Sequence, residues 1–492
     1  MRPAGHRRHW VRLDNASNIF LAAHSEVDTK VFRLGAELDH EVDPALLQEA
    51  LEATLERFPL YRAVLRRGVF WYYLQESDLR PVVVPETEHP CAPIYQADRR
   101  TLLFRVVHHR RRVGLEVFHA LSDGTGALWF LTALLDAYVR RRFPAADQPP
   151  PAPERPDPAP EEAVHTLTTD SFVQHFRRRT RRAGRAGAPR ETDHEEFLRE
   201  AAPAVLTVER APAAPPGQAP HRPAPSPPGR SAPEPTGRDA AAPPRRVHRV
   251  RGTRTPDHRP RVLELSMPVA PVLALAREEG VAMSMYLTAV LFEALRRTGA
   301  GGRAAPTLAA SVPVNLRQFF PSSSARNFFA TLTVAHTYGA GDDALGAVAR
   351  RLQEDFRAGA APAALAQRVR RLLRLERAPL ARIVPRPLKD LLLGQINRAN
   401  NRGLTVALSN LGRVTLPEPA ASHVGRMQFQ VSAARPQFCA ISHAGHLTIT
   451  FTSPFVETDH VREFARLLTA EGVEVTLAAS RTTEAELAAV GR

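Results

Sequence analysis

The chain has 492 residues, 43% of them hydrophobic and 24% charged. These are ordinary globular proportions, and they exclude wholesale disorder and the fibrous classes. A formal charge of +15 would suggest a polyanion partner, but only Lys30 and Lys389 are lysines and the remaining basic residues are arginine. Arginine, alanine and proline are enriched together, which a compositional bias explains better than a nucleic-acid surface does, so no nucleic-acid partner is expected. The longest uncharged apolar run, 281–292, is shorter than the roughly 20 residues that span a bilayer, and no apolar segment follows the basic N-terminus. Two cysteines, Cys91 and Cys439, make neither a disulfide framework nor a metal cluster, so the expected setting is a reducing cytoplasm with no structural metal.

In chain order, residues 1–144 read as a first lobe of mixed periodicity. A strand is expected at Val31–Leu38 and a helix at Pro44–Arg57, with Asp43 as N-cap and proline in the first helical position. An aromatic strand follows at 69–74. Two further strands at 102–107 and 113–118 are joined by a polar turn, and a helix is expected at 128–139.

Residues 145–260 are a Pro/Ala/Arg-rich insertion. The stretch 144–260 holds 24 of the 44 prolines, which excludes regular helix or central strand over much of it, and a disordered linker is expected. Two islands, 170–182 and 191–208, look more ordered, the first as a short basic helix.

Residues 261–492 read as a second lobe. Strands are expected at 262–265, 308–314, 328–335, 405–409, 427–431, 438–441 and 447–452. Helices are expected at 268–279, 284–297, 342–357, 361–374, 387–397 and 459–469. Strands and helices do not alternate strictly, which points to an α/β fold with mixed sheets and not to a doubly wound one.

One segment carries chemistry: Phe118-His119-Ala120-Leu121-Ser122-Asp123-Gly124. An apolar strand ends on an imidazole, a tight turn follows, and a helix opens. A histidine at a strand end leaves the sheet and can meet a substrate, with an ordinary pKa near 6.5 that suits a general base. Gly124 permits close approach. Read alone, the string is better taken as a strand end and a helix cap; two further segments shift that balance.

Two other segments, Val312-Pro313-Val314-Asn315-Leu316-Arg317 and Leu408-Ser409-Asn410-Leu411-Gly412-Arg413, are apolar strands ending in polar residues. With them the sequence resembles the chloramphenicol-acetyltransferase-like superfamily, whose motif is His-x-x-x-Asp-Gly, and is most similar to its alcohol acetyltransferase-like branch. Supporting segments run through both lobes, at 13–20, 56–59, 68–73, 116–131, 313–329 and 409–414. The resemblance implies two lobes around a tunnel and an acyltransferase that moves an acyl group, acetyl by expectation, from CoA to an alcohol. His119 would be the base, with Asp123 structural and Arg317 its bidentate partner from the second lobe. Ser409 or Asn410 would be the oxyanion donor, because Ser409-Asn410-Leu411-Gly412 stands where the plant enzymes carry Asp-Phe-Gly-Trp-Gly. Where condensation domains have a second adjacent histidine, this chain has Phe118. No bound cofactor is implied: acetyl-CoA is a co-substrate, and the partners are an acyl thioester and a small alcohol or amine. The rival readings are a condensation-type enzyme fed by a carrier protein and a non-catalytic binding protein on the same fold.

Overall fold

The computed structural model describes residues 9–97, 99–144, 165, 167, 171–176, 247–255, 259–300, 306–377 and 384–480. The chain opens with β1 (Trp10–Arg12), α1 (Asn15–Ala23), β2 (Val31–Leu38) and α2 (Pro44–Arg57). Next come β3 (Ala63–Arg67), β4 (Tyr72–Glu76), β5 (Val84–Pro85), β6 (Phe104–His109) and β7 (Arg112–Phe118). The long α3 (Gly124–Arg142) and the short α4 (Ser171–Phe176) complete this half. The second half begins with β8 (Arg261–Pro268), α5 (Val269–Glu278), α6 (Met283–Leu295), β9 (Thr307–Asn315) and β10 (Phe329–Thr337). It continues with α7 (Leu345–Ala360), α8 (Pro362–Arg377), α9 (Arg386–Arg402) and β11 (Val406–Arg413). It ends with α10 (Ala420–His423), β12 (Val424–Val431), β13 (Gln437–His443), β14 (His446–Ser453), α11 (Asp459–Ala470) and β15 (Thr476–Ala479).

Local signals account for many of these elements. Asp43 caps α2 by accepting from the Ala45 and Leu46 amides, and Leu47, Ala50, Leu51 and Leu55 form its buried face. In α3 the buried face is Phe130, Leu131, Leu134, Leu135 and Tyr138. Together these two helices cover a five-stranded sheet in the order β12-β2-β7-β6-β5. The second sheet has seven strands, β10-β9-β11-β13-β14-β8-β15, and it is mixed: β11 runs parallel to both neighbours. The apolar faces of α5, α6, α7 and α11 cover it.

The lobes are not consecutive stretches of chain. The strand expected at 427–431 within the second lobe is β12, and it pairs antiparallel with β2 in the first lobe's sheet, from Val424 opposite Leu38 to Val431 opposite Phe32. A period-2 pattern names a strand but not the edge it joins. Parts of the expected linker also pack on the lobes. Phe172 and Phe176 of α4 are buried with Leu316 and Phe328, and Val247 bridges to Thr307. The island at 191–208 and the basic run at 177–182 lie outside the described residues. No helix among the described residues is long and apolar enough to cross a membrane.

Candidate active site

His119 stands directly after β7, and its amide still donates to the Lys30 carbonyl at 2.8 Å. The ring therefore leaves the sheet at the end of its central strand. It is sandwiched by aromatics: Phe20 of α1 stacks on it at 3.9 Å, Phe32 meets it edge-on at 5.0 Å, and Phe329 lies at 5.7 Å. Nδ1 is buried without a hydrogen bond. Burial among these rings pushes the imidazole pKa down to about 4, against the opposing pull of the Asp123 carboxylate and the Asn327 side chain. The ring is thus neutral at pH 7, with a lone pair free to accept a proton.

Asp123 faces away from this chemistry. One carboxylate oxygen caps α3, accepting from the Gly126 amide at 2.9 Å. The other accepts from Arg317 Nη1 at 2.7 Å and from the Phe328 amide at 2.8 Å. The expected bidentate fork is a single Nη1 contact, because the other guanidinium donors go to main-chain carbonyls. Arg317 Nη2 reaches the Ser324 and Arg326 oxygens at 2.7 and 2.6 Å, and Nε reaches Ser324 at 3.2 Å. The guanidinium also lies 5.2 Å over the Trp129 ring. Arg317 thus folds the 315–328 segment around itself and presses it onto the start of α3.

The close approach there depends on glycine. A Cβ on Gly126 would stand 2.2 Å from the Ala325 oxygen and 2.5 Å from Ser122 Oγ. Ser122 Oγ itself donates to that oxygen at 2.5 Å. A Cβ on Gly124 would stand 2.8 Å from Leu411 Cδ2, so β11 passes directly beside the motif. Asn410 is exposed, and its carboxamide oxygen accepts from the Gly412 amide at 2.7 Å, leaving its NH₂ as the donor. Gly412 sits at φ +74°, the left-handed region. Ser409 is half-buried, paired with Cys439 across the parallel ladder.

Several residues around the imidazole were not singled out in the sequence. Asn327 donates to the main-chain oxygen of His119 at 2.7 Å and to Ser17 Oγ at 2.8 Å. Asp14 caps α1 through the Ser17 amide and pairs with Arg326 at 3.3 Å, both side chains being buried. These contacts fasten α1, and with it Phe20, to the 315–328 segment. The signal lay in the resemblance: Phe20 ends the segment 13–20, and Asn327 and Phe329 lie within 313–329.

Cys91 and Cys439 are both buried, and burial pushes both thiols up, which leaves no nucleophilic thiolate. A cleft of about 450 Å³ beside α3 is lined by Arg57, Phe58, Trp129, His165, Arg413 and Thr415, and His119 is not among its lining residues. That volume lies in the range of small-molecule sites.

No protein-family model matches the chain, and no curated protein sequence does. Solved structures do. Polyketide synthase associated protein 5 from Mycobacterium tuberculosis is 15% identical over 93% of this chain and 96% of that one, with a TM-score of 0.53. The TRI3 trichothecene 15-O-acetyltransferase from Fusarium sporotrichioides is 11% identical over 96% of both chains, with a TM-score of 0.53. A point mutant of the starter condensation domain of rhizomide synthetase RzmA, in complex with C8-CoA, is 12% identical over 94% of both, with a TM-score of 0.52. The chain has the fold of the condensation domains and chloramphenicol-acetyltransferase-like proteins, an acyltransferase-type fold.

Proposed function

We propose that the protein transfers an acyl group, acetyl in the simplest case, from a CoA thioester to an alcohol, with His119 as general base. The observation that carries this reading is the neutral imidazole at a strand end, held between Phe20 and Phe32 in an acyltransferase-type fold. With Nδ1 enclosed by protein, Nε2 is the nitrogen that takes the acceptor hydroxyl proton. The hydroxyl oxygen attacks the thioester carbon, and the carbonyl becomes an oxyanion. Collapse breaks the C–S bond, and the thiolate recovers the proton from the imidazolium, leaving ester and free thiol. The Asn410 NH₂ or the Ser409 hydroxyl is the oxyanion donor, since a neutral donor matches charge that develops only in the transition state. Asp123 and Arg317 take no part in the proton transfer. They hold the turn in which His119 sits.

The cleft beside α3 is the candidate for the phosphate-bearing end of the CoA donor. Arg57 and Arg413 at its walls are suited to phosphate, and β11 runs from Gly124 toward Arg413.

Purified protein incubated with acetyl-CoA and a panel of alcohols and amines, followed by mass spectrometry, tests the reading. One thiol should be released per ester formed, and neither product should appear with His119→Ala. Turnover with a carrier-bound thioester but none with CoA would favour the condensation-type reading. Arg413→Ala should raise KM for acetyl-CoA and leave a truncated thioester unaffected.

A further inference from the structure

The end of β2 farthest from His119 holds a second polar cluster. β2 ends at Leu38, and the Asp39 amide donates to the His423 carbonyl at 3.1 Å, so the last residue of α10 lies against the bend that follows β2. His423 Nδ1 is 3.0 Å from Asp39 Oδ2, and His40 Nδ1 is 2.5 Å from Asp39 Oδ1. Two imidazoles therefore turn the same ring nitrogen toward one carboxylate.

Packing fixes both rings. Phe143 stacks on His423 at 4.3 Å and meets His40 edge-on at 4.8 Å, and Tyr138 stacks on His40 at 5.8 Å. His40 Nε2 is buried without a partner, so Nδ1 is that ring's only polar outlet. The charge setting is unusual for this chain. Despite a formal charge of +15, the ion-pair partners of Asp39 among the described residues are the two imidazoles.

We propose that Asp39, His40 and His423 form a transition-metal site, of the zinc class, that clips the crossover strand β12 to the first lobe. The three ligand atoms lie within 4.8 Å of one another. Ligand atoms around a tetrahedral zinc with bonds of about 2.1 Å are roughly 3.4 Å apart, so side-chain shifts of about an ångström admit the ion. Two imidazoles and one carboxylate suit zinc, cobalt or nickel, whereas calcium and magnesium require oxygen ligands. The Asp39 side chain is 55% exposed, which leaves a fourth position for water. The eight residues of β2 separate Asp39 from Lys30, whose carbonyl holds the His119 amide, roughly 30 Å of strand, so the ion ties two segments together and takes no part in acyl transfer. Its binding does not depend on the proposed function.

The test uses the full chain, stripped with chelator and dialysed. Cobalt is titrated while its visible d–d bands are followed, and zinc is titrated by calorimetry, with wild type, His423→Ala, Asp39→Asn and the control His175→Ala, whose ring lies against Phe328 at the His119 side of the fold. One equivalent should bind to wild type and to the control, with intense tetrahedral-type cobalt bands. Each ligand variant should bind at least about 100-fold more weakly, since losing even a supporting partner of a metal ligand costs about 10–100-fold. Zinc should raise the thermal midpoint of wild type and not that of the ligand variants. The absence of stoichiometric micromolar binding by wild type overturns the site, as does unchanged affinity in both ligand variants. Circular dichroism identifies a variant that fails to fold, and the other then decides.

Discussion

Replacing Asp123 with alanine removes one carboxylate from three donors: the Gly126 amide, Arg317 Nη1 and the Phe328 amide. Losing a helix cap costs about 1 kcal/mol, and breaking a buried ion pair by removing one partner costs about 3–5 kcal/mol. The side chains are 7% and 6% exposed, so the buried case applies. The two costs share one carboxylate and do not sum. Arg317 also keeps its bonds to the Ser324 and Arg326 carbonyls, which places the expected loss near the lower end, about 3 kcal/mol. A chain of two lobes does not unfold in one two-state step, so the informative assay is local. Hydrogen exchange at the start of α3 and across 315–328 should speed up by roughly 100-fold, at about 1.4 kcal/mol per tenfold. Asp123→Asn keeps the cap and should lose less. In a double-mutant cycle, Asp123→Ala and Arg317→Ala should couple by about 2 kcal/mol or more. Additivity within roughly 0.5 kcal/mol, or wild-type protection in Asp123→Ala, would show that the pair does not hold the turn.

Other predictions follow from the same geometry. His119→Ala should lower kcat by roughly 10²–10⁴-fold with an unchanged circular dichroism spectrum. With the imidazole pKa near 4, kcat/KM should stay level from about pH 5 to 8; a step near pH 6.5 would show that the ring is ordinary. His119 and His460 both titrate near 4 when folded and near 6.5 when unfolded. The unfolded chain therefore binds more protons between those values, and stability is full above about pH 6.5 and is lost as pH falls toward 4, on the order of 3 kcal/mol per residue. Thermal midpoints across that window should fall less steeply for His460→Leu than for wild type. Gly126→Ala drives a methyl into the Ala325 carbonyl and should cost about 1–3 kcal/mol together with activity, both measured against Gly425→Ala, which meets nothing within 4 Å. Deleting 212–244, a stretch without a single aromatic residue, should leave thermal stability and turnover unchanged.

The candidate site is legible where its motif is written in consecutive residues. His119 through Gly124 shows an apolar strand end, a polar turn and a helix start within a few letters, and the structure has β7, the turn and α3 at those places. The second segment, ending at Arg317, lies against the first through Arg317 and Asp123. The surroundings of the imidazole were not legible in this way. Phe20 sits in a helix that opens with Asp14 as its cap, yet nothing local says that this ring will stack on His119. The sequence does not announce the helix, because Asn15–Ala23 mixes small, polar and apolar residues without a clear stripe. Asn327, which joins the His119 carbonyl to Ser17, is one polar residue in a loop between two strands.

Local elements and their ends are written along the chain. Asp43 and Pro44 start α2, Gly280 at φ +69° follows α5, and β2 covers Val31–Leu38 as expected. Hydrogen bonds three or four residues apart, and side chains that alternate or recur on one face, are set by neighbours in sequence. Which strands share a sheet is a matter of tertiary packing. Val424–Val431 lies beside Val31–Leu38 and so places His423 on Asp39, and Phe20, Phe32 and Phe329 close around His119. Such contacts repeat at no fixed spacing. They come from burying several apolar faces at once, and a linear pattern records that a face is apolar without recording what will cover it.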